Sequence, residues 1–309
     1  MDSKRIGSLT VSTVGLGCNN FGTRLDAAAT AEVVHAALDS GINFFDTADI
    51  YGKGLSEEYL GRALGPRRAG VVVASKFGMV MDEHRKGAKP AYIRQAVEDS
   101  LRRLGTDVID LYQLHEPDPE VPLEETMGAL NELVAAGKVR EIGCSNFTAE
   151  QLRLSEEVAD RTGTTRFVSV QNEYSLLHRE PERGVLAECE RLRIGFIPYF
   201  PLASGLLTGK YRRGRPVPQG TRLSSSERFG KLLNDKNLTY VERLAEIGEA
   251  RERTLLEIAF GWLLAKPVVV SVIAGATSPE QVRANAGAAR RRLTDEELQE
   301  IEGVVAVPA

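Results

Sequence analysis

Apolar runs of six to nine residues alternate with amphipathic stretches along most of this chain. The apolar runs are "TVGLGC" (13–18), "INFFDTA" (42–48), "GVVVASKF" (70–77), "VIDLYQLH" (108–115), "VREIGCSN" (139–146), "FVSVQNEYS" (167–175), "GFIPYFPL" (195–202) and "SVIAGA" (271–276). They are rich in Val, Ile and Phe and apolar on both faces, the pattern of parallel strands covered by helices. Between them lie helical patterns such as "DAAATAEVVHAALDSG", "PAYIRQAVEDSLRRLG", "LEETMGALNELVAAGK" and "RTLLEIAFGWLLAK". Several open on Asp, Ser, Thr or Pro and close on Gly, as capped helices do.

Eight strand–helix units with no break in composition predict one (β/α)8 TIM barrel over residues 1–309. A doubly wound open sheet in two domains is the alternative. The opening "RIGSLTVSTVGLG" alternates like a small β-hairpin set before the barrel. Residues 211–237, after the seventh strand, are polar and aperiodic, so a long loop is expected there. Extra helices are expected at 238–250 and in "TDEELQEIEGVV" at the end.

Composition narrows the class. The chain of 309 residues is 42% hydrophobic and 27% charged, with a net charge of −4. That balance argues against a nucleic-acid or membrane-surface partner. Three cysteines, far apart and in no metal-type spacing, suit a reducing compartment and call for no metal. The amino terminus carries charge and no apolar signal segment, so a cytoplasmic protein is expected. Oligomeric state is not legible, and a small-molecule carbonyl partner is expected only from the residues described next.

In a (β/α)8 barrel, chemistry gathers at the carboxyl ends of the strands. Asp46 ends the second strand with Tyr51 just beyond, Lys76 ends the third, and His115 ends the fourth. A carboxylate, a phenol, an amine and an imidazole are therefore expected on one rim. The ammonium should lower the phenol pKa, the carboxylate should hold the ammonium, and the imidazole should polarise a substrate oxygen. That set protonates an oxyanion forming on a carbonyl carbon, while a cofactor must bring the electrons.

Seven fragments in order, "DTADIYGKGLSEEYLGRAL", "VVVASKFG", "LYQLHEPDP", "VREIGCSNF", "VQNEYSLL", "PLASGLLTGKY" and "VIAGATSPEQVRANAGA", resemble the aldo-keto reductases. The resemblance implies NADPH-dependent reduction of an aldehyde or ketone, with NADH as a possible substitute. It makes Asp46, Tyr51, Lys76 and His115 the catalytic tetrad, with Tyr51 the general acid. It assigns Ser145, Asn146 and Gln171 to the nicotinamide carboxamide and Tyr199 to stacking under the ring. Leu202, Ser204, Gly205 and Lys210 correspond to the pyrophosphate loop. Gly275, Thr277, Gln281 and Asn285 correspond to the adenosine and 2′-phosphate segment. Gly275 and Gln281 stand where some branches carry Lys and Arg, with Thr277 and Arg283 placed to compensate.

Two rival functions use the same residues. One is a regulatory nicotinamide-binding subunit resembling the potassium-channel β subunits. The other is a Schiff-base aldolase with Lys76 as nucleophile, which a protonating Asp46 partner disfavours. Each polar residue also has a plain structural reading, as a helix cap or a satisfied core group, and only their joint placement argues otherwise. Trp262 reads as core, and His35, His84 and His178 as surface. "GLGCNNFG" and "GLLTGKY" mimic phosphate loops, but Asn20, Ser204 and Tyr211 break the required patterns.

Overall fold

The structure is a computed structural model that describes residues 1–225 and 230–305. A two-stranded antiparallel hairpin, β1 (Ser3–Ile6) and β2 (Leu9–Ser12), comes first. Eight parallel strands follow: β3 (Val14–Gly17), β4 (Phe44–Asp46), β5 (Val72–Phe77), β6 (Ile109–Leu114), β7 (Val139–Ser145), β8 (Ser169–Glu173), β9 (Gly195–Tyr199) and β10 (Val272–Gly275). They pair in the order β10-β3-β4-β5-β6-β7-β8-β9. The seam closes just ahead of β10, where Phe196 N donates to Val268 O at 2.8 Å and Val270 N donates to Phe196 O at 3.0 Å. Eight strands with helices between them make the (β/α)8 barrel the sequence pattern predicts.

Alternation along the strands sorts side chains into two cores. Phe44, Val72, Ala74, Leu111, Ile197 and Ile273 point inward and pack on Ile6, Leu9 and Val11 of the hairpin, which seals the amino-terminal end. The outward residues, among them Phe45, Val73, Tyr112, Ile142 and Phe196, join the larger cluster under the helices. Going two residues further along a strand keeps the same face. Asp46, Lys76, Gln113, Ser145, Gln171 and Tyr199 therefore form the next inward layer, toward the carboxyl-terminal mouth.

The helices begin where side chains satisfy their free amides. Asp26 caps Ala27–Asp39 by accepting from Ala29 N, and Thr148 and Thr254 form capping boxes at Ala149–Thr162 and Leu255–Leu264. The helix expected from 238 starts earlier, at Asp235, because Asn234 accepts from Asn237 N at 2.9 Å and fixes the cap there. The described residues of the long segment 211–237 include a helical turn, Arg222–Ser225, and the start of the helix at Asp235, while 226–229 lie outside the described residues. Arg213 in this segment pairs with Asp235 and Glu242. Trp262 is fully buried and donates to Glu302 at 2.8 Å, the structural role expected of it. Among the described residues no helix is long and apolar enough to cross a membrane.

Candidate active site

Asp46 is the last residue of β4, Lys76 is next to last in β5, and His115 follows β6 directly. Tyr51 opens a 3-10 turn, Tyr51–Gly54, in which Gly52, Lys53 and Gly54 all take positive φ. A Cβ on Gly52 would lie 2.9 Å from Phe21 O, so the turn needs glycine for space as well as for backbone freedom. Polar contacts pin the segment from both sides. Thr47 Oγ1 and Ser56 Oγ lie 2.8 Å apart, and Ser56 Oγ donates to Cys18 O at 2.9 Å. Asp49 N donates to Lys76 O at 3.0 Å.

The four side chains meet. Lys76 Nζ lies 2.7 Å from Asp46 Oδ2 and 3.0 Å from Thr47 O, with both ionised groups buried. It also lies 5.3 Å from the centre of the Tyr51 ring, and the Tyr51 ring meets His115 edge-on at 5.8 Å. Burial pulls the Lys76 ammonium down, but Asp46 and Tyr51 more than offset it, leaving its pKa above the ordinary value. A buried ammonium held in this way is no nucleophile.

Burial lifts the Tyr51 phenol above its usual pKa, and the Lys76 ammonium beside it pulls the other way without overcoming it. The lowered phenol pKa expected from the neighbouring ammonium is not found, because desolvation is the larger effect in the free protein. Burial, then the Lys76 charge, hold His115 well below the usual imidazole range. His115 is therefore neutral at neutral pH, and its buried Nδ1 has no partner among the described residues.

The sequence reading missed Gln113. It lies in β6 two residues before His115, on the same inward face, and its Nε2 is 3.5 Å from Asp46 Oδ1. Gln171 Nε2 donates to the same oxygen at 2.8 Å. Two amides and one ammonium thus surround the Asp46 carboxylate. The signal was available in period-two spacing, but a single Gln in an apolar run reads as an ordinary polar residue.

The proposed cofactor residues lie around this centre. Ser145 Oγ donates to Gln171 O at 2.7 Å. Asn146, at φ 62°, donates from Nδ2 to His115 O at 2.9 Å, and its Oδ1 accepts from the Tyr199 hydroxyl at 2.8 Å. Asn146 is therefore a brace between the His115 backbone and the Tyr199 hydroxyl.

The model of the aldo/keto reductase family matches residues 13–306. The chain belongs to that family. It is 35% identical to aldo-keto reductase yakc [NADP(+)] of Schizosaccharomyces pombe, over 97% of this chain and 90% of that protein. It is 36% identical to the uncharacterized oxidoreductase YqkF of Bacillus subtilis, over 98% and 96% of the two chains. The solved structure of the glycerol dehydrogenase AKR11B4 from Gluconobacter oxydans superposes with a TM-score of 0.86 at 34% identity, covering 99% and 95% of the two chains. Aldo-keto reductase AKR11C1 from Bacillus halodurans, in its holo form, gives 0.78, also at 34% identity, over 98% and 96%.

An aldo/keto reductase uses a nicotinamide cofactor, and the residues present fit one. After β9 this reductase has three successive residues at positive φ, Ala203, Ser204 and Gly205, in a tight turn closed by Ala203 N donating to Phe200 O and Gly205 N donating to Leu202 O. Lys210 leans over that turn, with Nζ 3.4 Å from where a Gly205 Cβ would be. An ammonium standing over a tight glycine turn, where a backbone can approach closely, is a fit for a diphosphate. Leu202 caps the same turn. Beyond β10 and Gly275, Ser278 caps the helix Pro279–Ala288 by accepting from Gln281 N, and a helix amino terminus is electrostatically suited to phosphate.

Gln281 Oε1 accepts from both Thr277 N and Thr277 Oγ1, at 2.9 and 3.2 Å, so these two are tied together. Asn285 is buried on the inner face of the helix. Arg283 pairs with Glu280 and lines a groove with Asp39, Ser40 and Arg290, on the flank facing the carboxyl end of the helix Ala27–Asp39. An open cleft of about 560 Å³ lies beside Tyr199 and Asn146, between the amino ends of the helices Ala149–Thr162 and Val185–Leu192.

Proposed function

We propose that this aldo/keto reductase reduces an aldehyde or ketone to an alcohol with NADPH, in the cytoplasm, and that Tyr51 is the general acid. The observation that carries the reading is the single buried ammonium of Lys76, placed against both the Asp46 carboxylate and the Tyr51 ring. A bound nicotinamide would supply the hydride that adds to the carbonyl carbon. The oxygen then becomes an alkoxide, and the Tyr51 O–H bond breaks to give it a proton. The phenolate left behind is stabilised by Lys76, whose charge Asp46 secures. The neutral His115 donates a hydrogen bond to the substrate oxygen and orients it. Water returns the proton to Tyr51 after the alcohol leaves.

Ser145, Asn146 and Gln171 would meet the nicotinamide carboxamide, and Tyr199 would stack beneath its ring. Leu202, Ser204, Gly205 and Lys210 would hold the diphosphate. Gly275, Thr277, Gln281 and Asn285 would hold the adenosine end. The NADP(+) in the name of the fission-yeast relative supports NADPH over NADH. The likeness to a glycerol dehydrogenase brings small hydroxylated carbonyls into the candidate range.

The test is a panel of hydroxylated, aliphatic, aromatic and quinone-type carbonyls, with NADPH and NADH run in parallel and cofactor oxidation followed by absorbance. NADPH consumption with at least one class is the expected result. Tight NADPH binding with no turnover across the panel would replace this reading with a regulatory subunit. A borohydride-trapped substrate adduct on Lys76, formed without nicotinamide, would replace it with an aldolase.

A further inference from the structure

Outside the barrel wall, behind the tetrad, lies a polar cluster that carbonyl reduction does not use. Glu57 comes from the helix Leu55–Leu64, Tyr92, Ser100 and Arg103 from the helix Pro90–Leu104, Ser75 from β5, Tyr112 from β6, and Asp49 from the turn that carries Tyr51. Glu57 is fully engaged: it accepts from Arg103 Nε at 2.6 Å and from the Ser75 hydroxyl. Asp49 is equally buried but less well served. Its Oδ2 accepts from the Tyr92 hydroxyl at 3.2 Å, and its Oδ1 has no partner among the described residues. Its backbone amide is bonded to Lys76 O, and Tyr51 N donates to Ala48 O at 3.2 Å, so Asp49 sits at the root of the catalytic turn.

We propose that Asp49, anchored by Tyr92, is a positioning residue for Tyr51, and that its gain and loss of a proton makes the set of the catalytic turn depend on pH. The inference rests on Tyr51 being the proton donor. The Arg103 guanidinium pairs with Glu57 and reaches Asp49 only as a nearby charge, so two buried carboxyl groups lie close together with one of them unpaired by a cation. Burial and then the Glu57 charge push Asp49 up to about 7, while Arg103, the Tyr92 hydroxyl and the Ile50 amide pull it back. The charged and titratable groups around it are Glu57, Arg103, Tyr92 and Tyr112, with Arg85 near Tyr92 and Lys76 across the strand wall. Ionised, Asp49 draws on Tyr92 and Arg103 and is repelled by Glu57. Protonated, it loses that repulsion, and the grip on the turn changes with it.

The experiment compares wild type, Asp49→Asn and Tyr92→Phe over roughly pH 5 to 9, bracketing the Asp49 titration. It reads kcat and KM, the NADPH Kd by fluorescence, and the ¹⁵N imidazole resonances. His115 reports on the turn because its ring packs edge-on against Tyr51. The proposal expects Asp49→Asn to lower kcat on the order of tenfold, as a small misplacement of a catalytic group does. NADPH Kd should hold, and the near-neutral inflection should vanish from both kcat and the His115 resonance. Tyr92→Phe removes a donor to the ionised form, so the inflection should persist and move to higher pH. An Asp49→Asn protein with the wild-type kcat profile and the wild-type His115 titration would overturn the proposal. If wild type turns over no carbonyl, the functional reading fails while the His115 titration still decides the role of Asp49.

Discussion

The Lys76 ammonium lies 2.7 Å from Asp46 Oδ2 and 5.3 Å from the centre of the Tyr51 ring, with no water-accessible surface of its own. In the reaction proposed above, one charge would serve two partners, a permanent one and a transient one. The carboxylate would keep it ionised at rest, and the phenolate would draw on it only as the proton leaves. An interaction that strengthens in the transition state is the kind that accelerates a reaction.

Tyr51→Phe removes the proton and leaves the ring. Turnover should fall by about 10²- to 10⁴-fold, the usual worth of a general acid, while NADPH Kd measured by fluorescence stays near wild type. Wild-type turnover in this variant would remove Tyr51 from its role.

Truncating one member of a buried ion pair strands the other. Asp46→Ala should therefore cost about 3–5 kcal/mol of stability, and the double variant Asp46→Leu with Lys76→Met should recover much of it, since neither charge remains. Urea unfolding of the three proteins reads this directly. Equal losses in the single and double variants would show that the stranded ammonium is not the cause.

Strand ends were legible because inward positions two residues apart share a face, and apolar runs of fixed length mark where that face meets the rim. This put Asp46, Lys76 and His115 together before any coordinates. What escaped was pairing across the barrel. Nothing local in "LYQLH" says that Gln113 reaches Asp46, or that Gln171 spends its amide on the same oxygen. The balance at Tyr51 was misjudged for a related reason: the neighbouring charge can be named from sequence, whereas the depth of burial that outweighs it depends on the packed rim. Asp49 carries no local signal because its partner Tyr92 and its neighbour Glu57 come from two later helices.

Gly52 has φ 57° with a backbone oxygen where its Cβ would go. Gly52→Ala should cost about 1–2 kcal/mol from the left-handed backbone alone, and more from the clash with Phe21 O. The turn should shift Tyr51, so kcat should drop further than thermal stability does. A variant that loses stability but keeps kcat would show that the turn tolerates the change.

The Asp49 carboxyl also links pH to stability. Its folded value of about 7 lies above the ordinary 3.8, so the folded state holds more protons between those values. Stability should decline as pH rises through that window and level off above it. Asp49→Asn abolishes the titration, so its Tm relative to wild type should climb from about pH 4 to 7 and then stay constant. A pH-independent difference in calorimetry would contradict the elevated value.

Lys210 stands over the positive-φ turn at Ser204 and Gly205. Lys210→Met should weaken NADPH binding on the order of tenfold, or about 1.4 kcal/mol, and flatten the salt dependence of Kd. The rate at saturating cofactor should hold. Gln281→Arg should separate NADPH from NADH by adding a cation at the amino end of the helix Pro279–Ala288. Unchanged Kd values in both variants would place the phosphates elsewhere.

The hairpin at Ser3–Ser12 is a lid on a barrel already filled. With Ile6, Leu9 and Val11 seated on the inward apolar layer, the polar layer of Asp46, Lys76 and Gln113 is left to face the carboxyl-terminal mouth. Loops at that lip are consequently free to diverge in shape and charge without loosening the vessel beneath them.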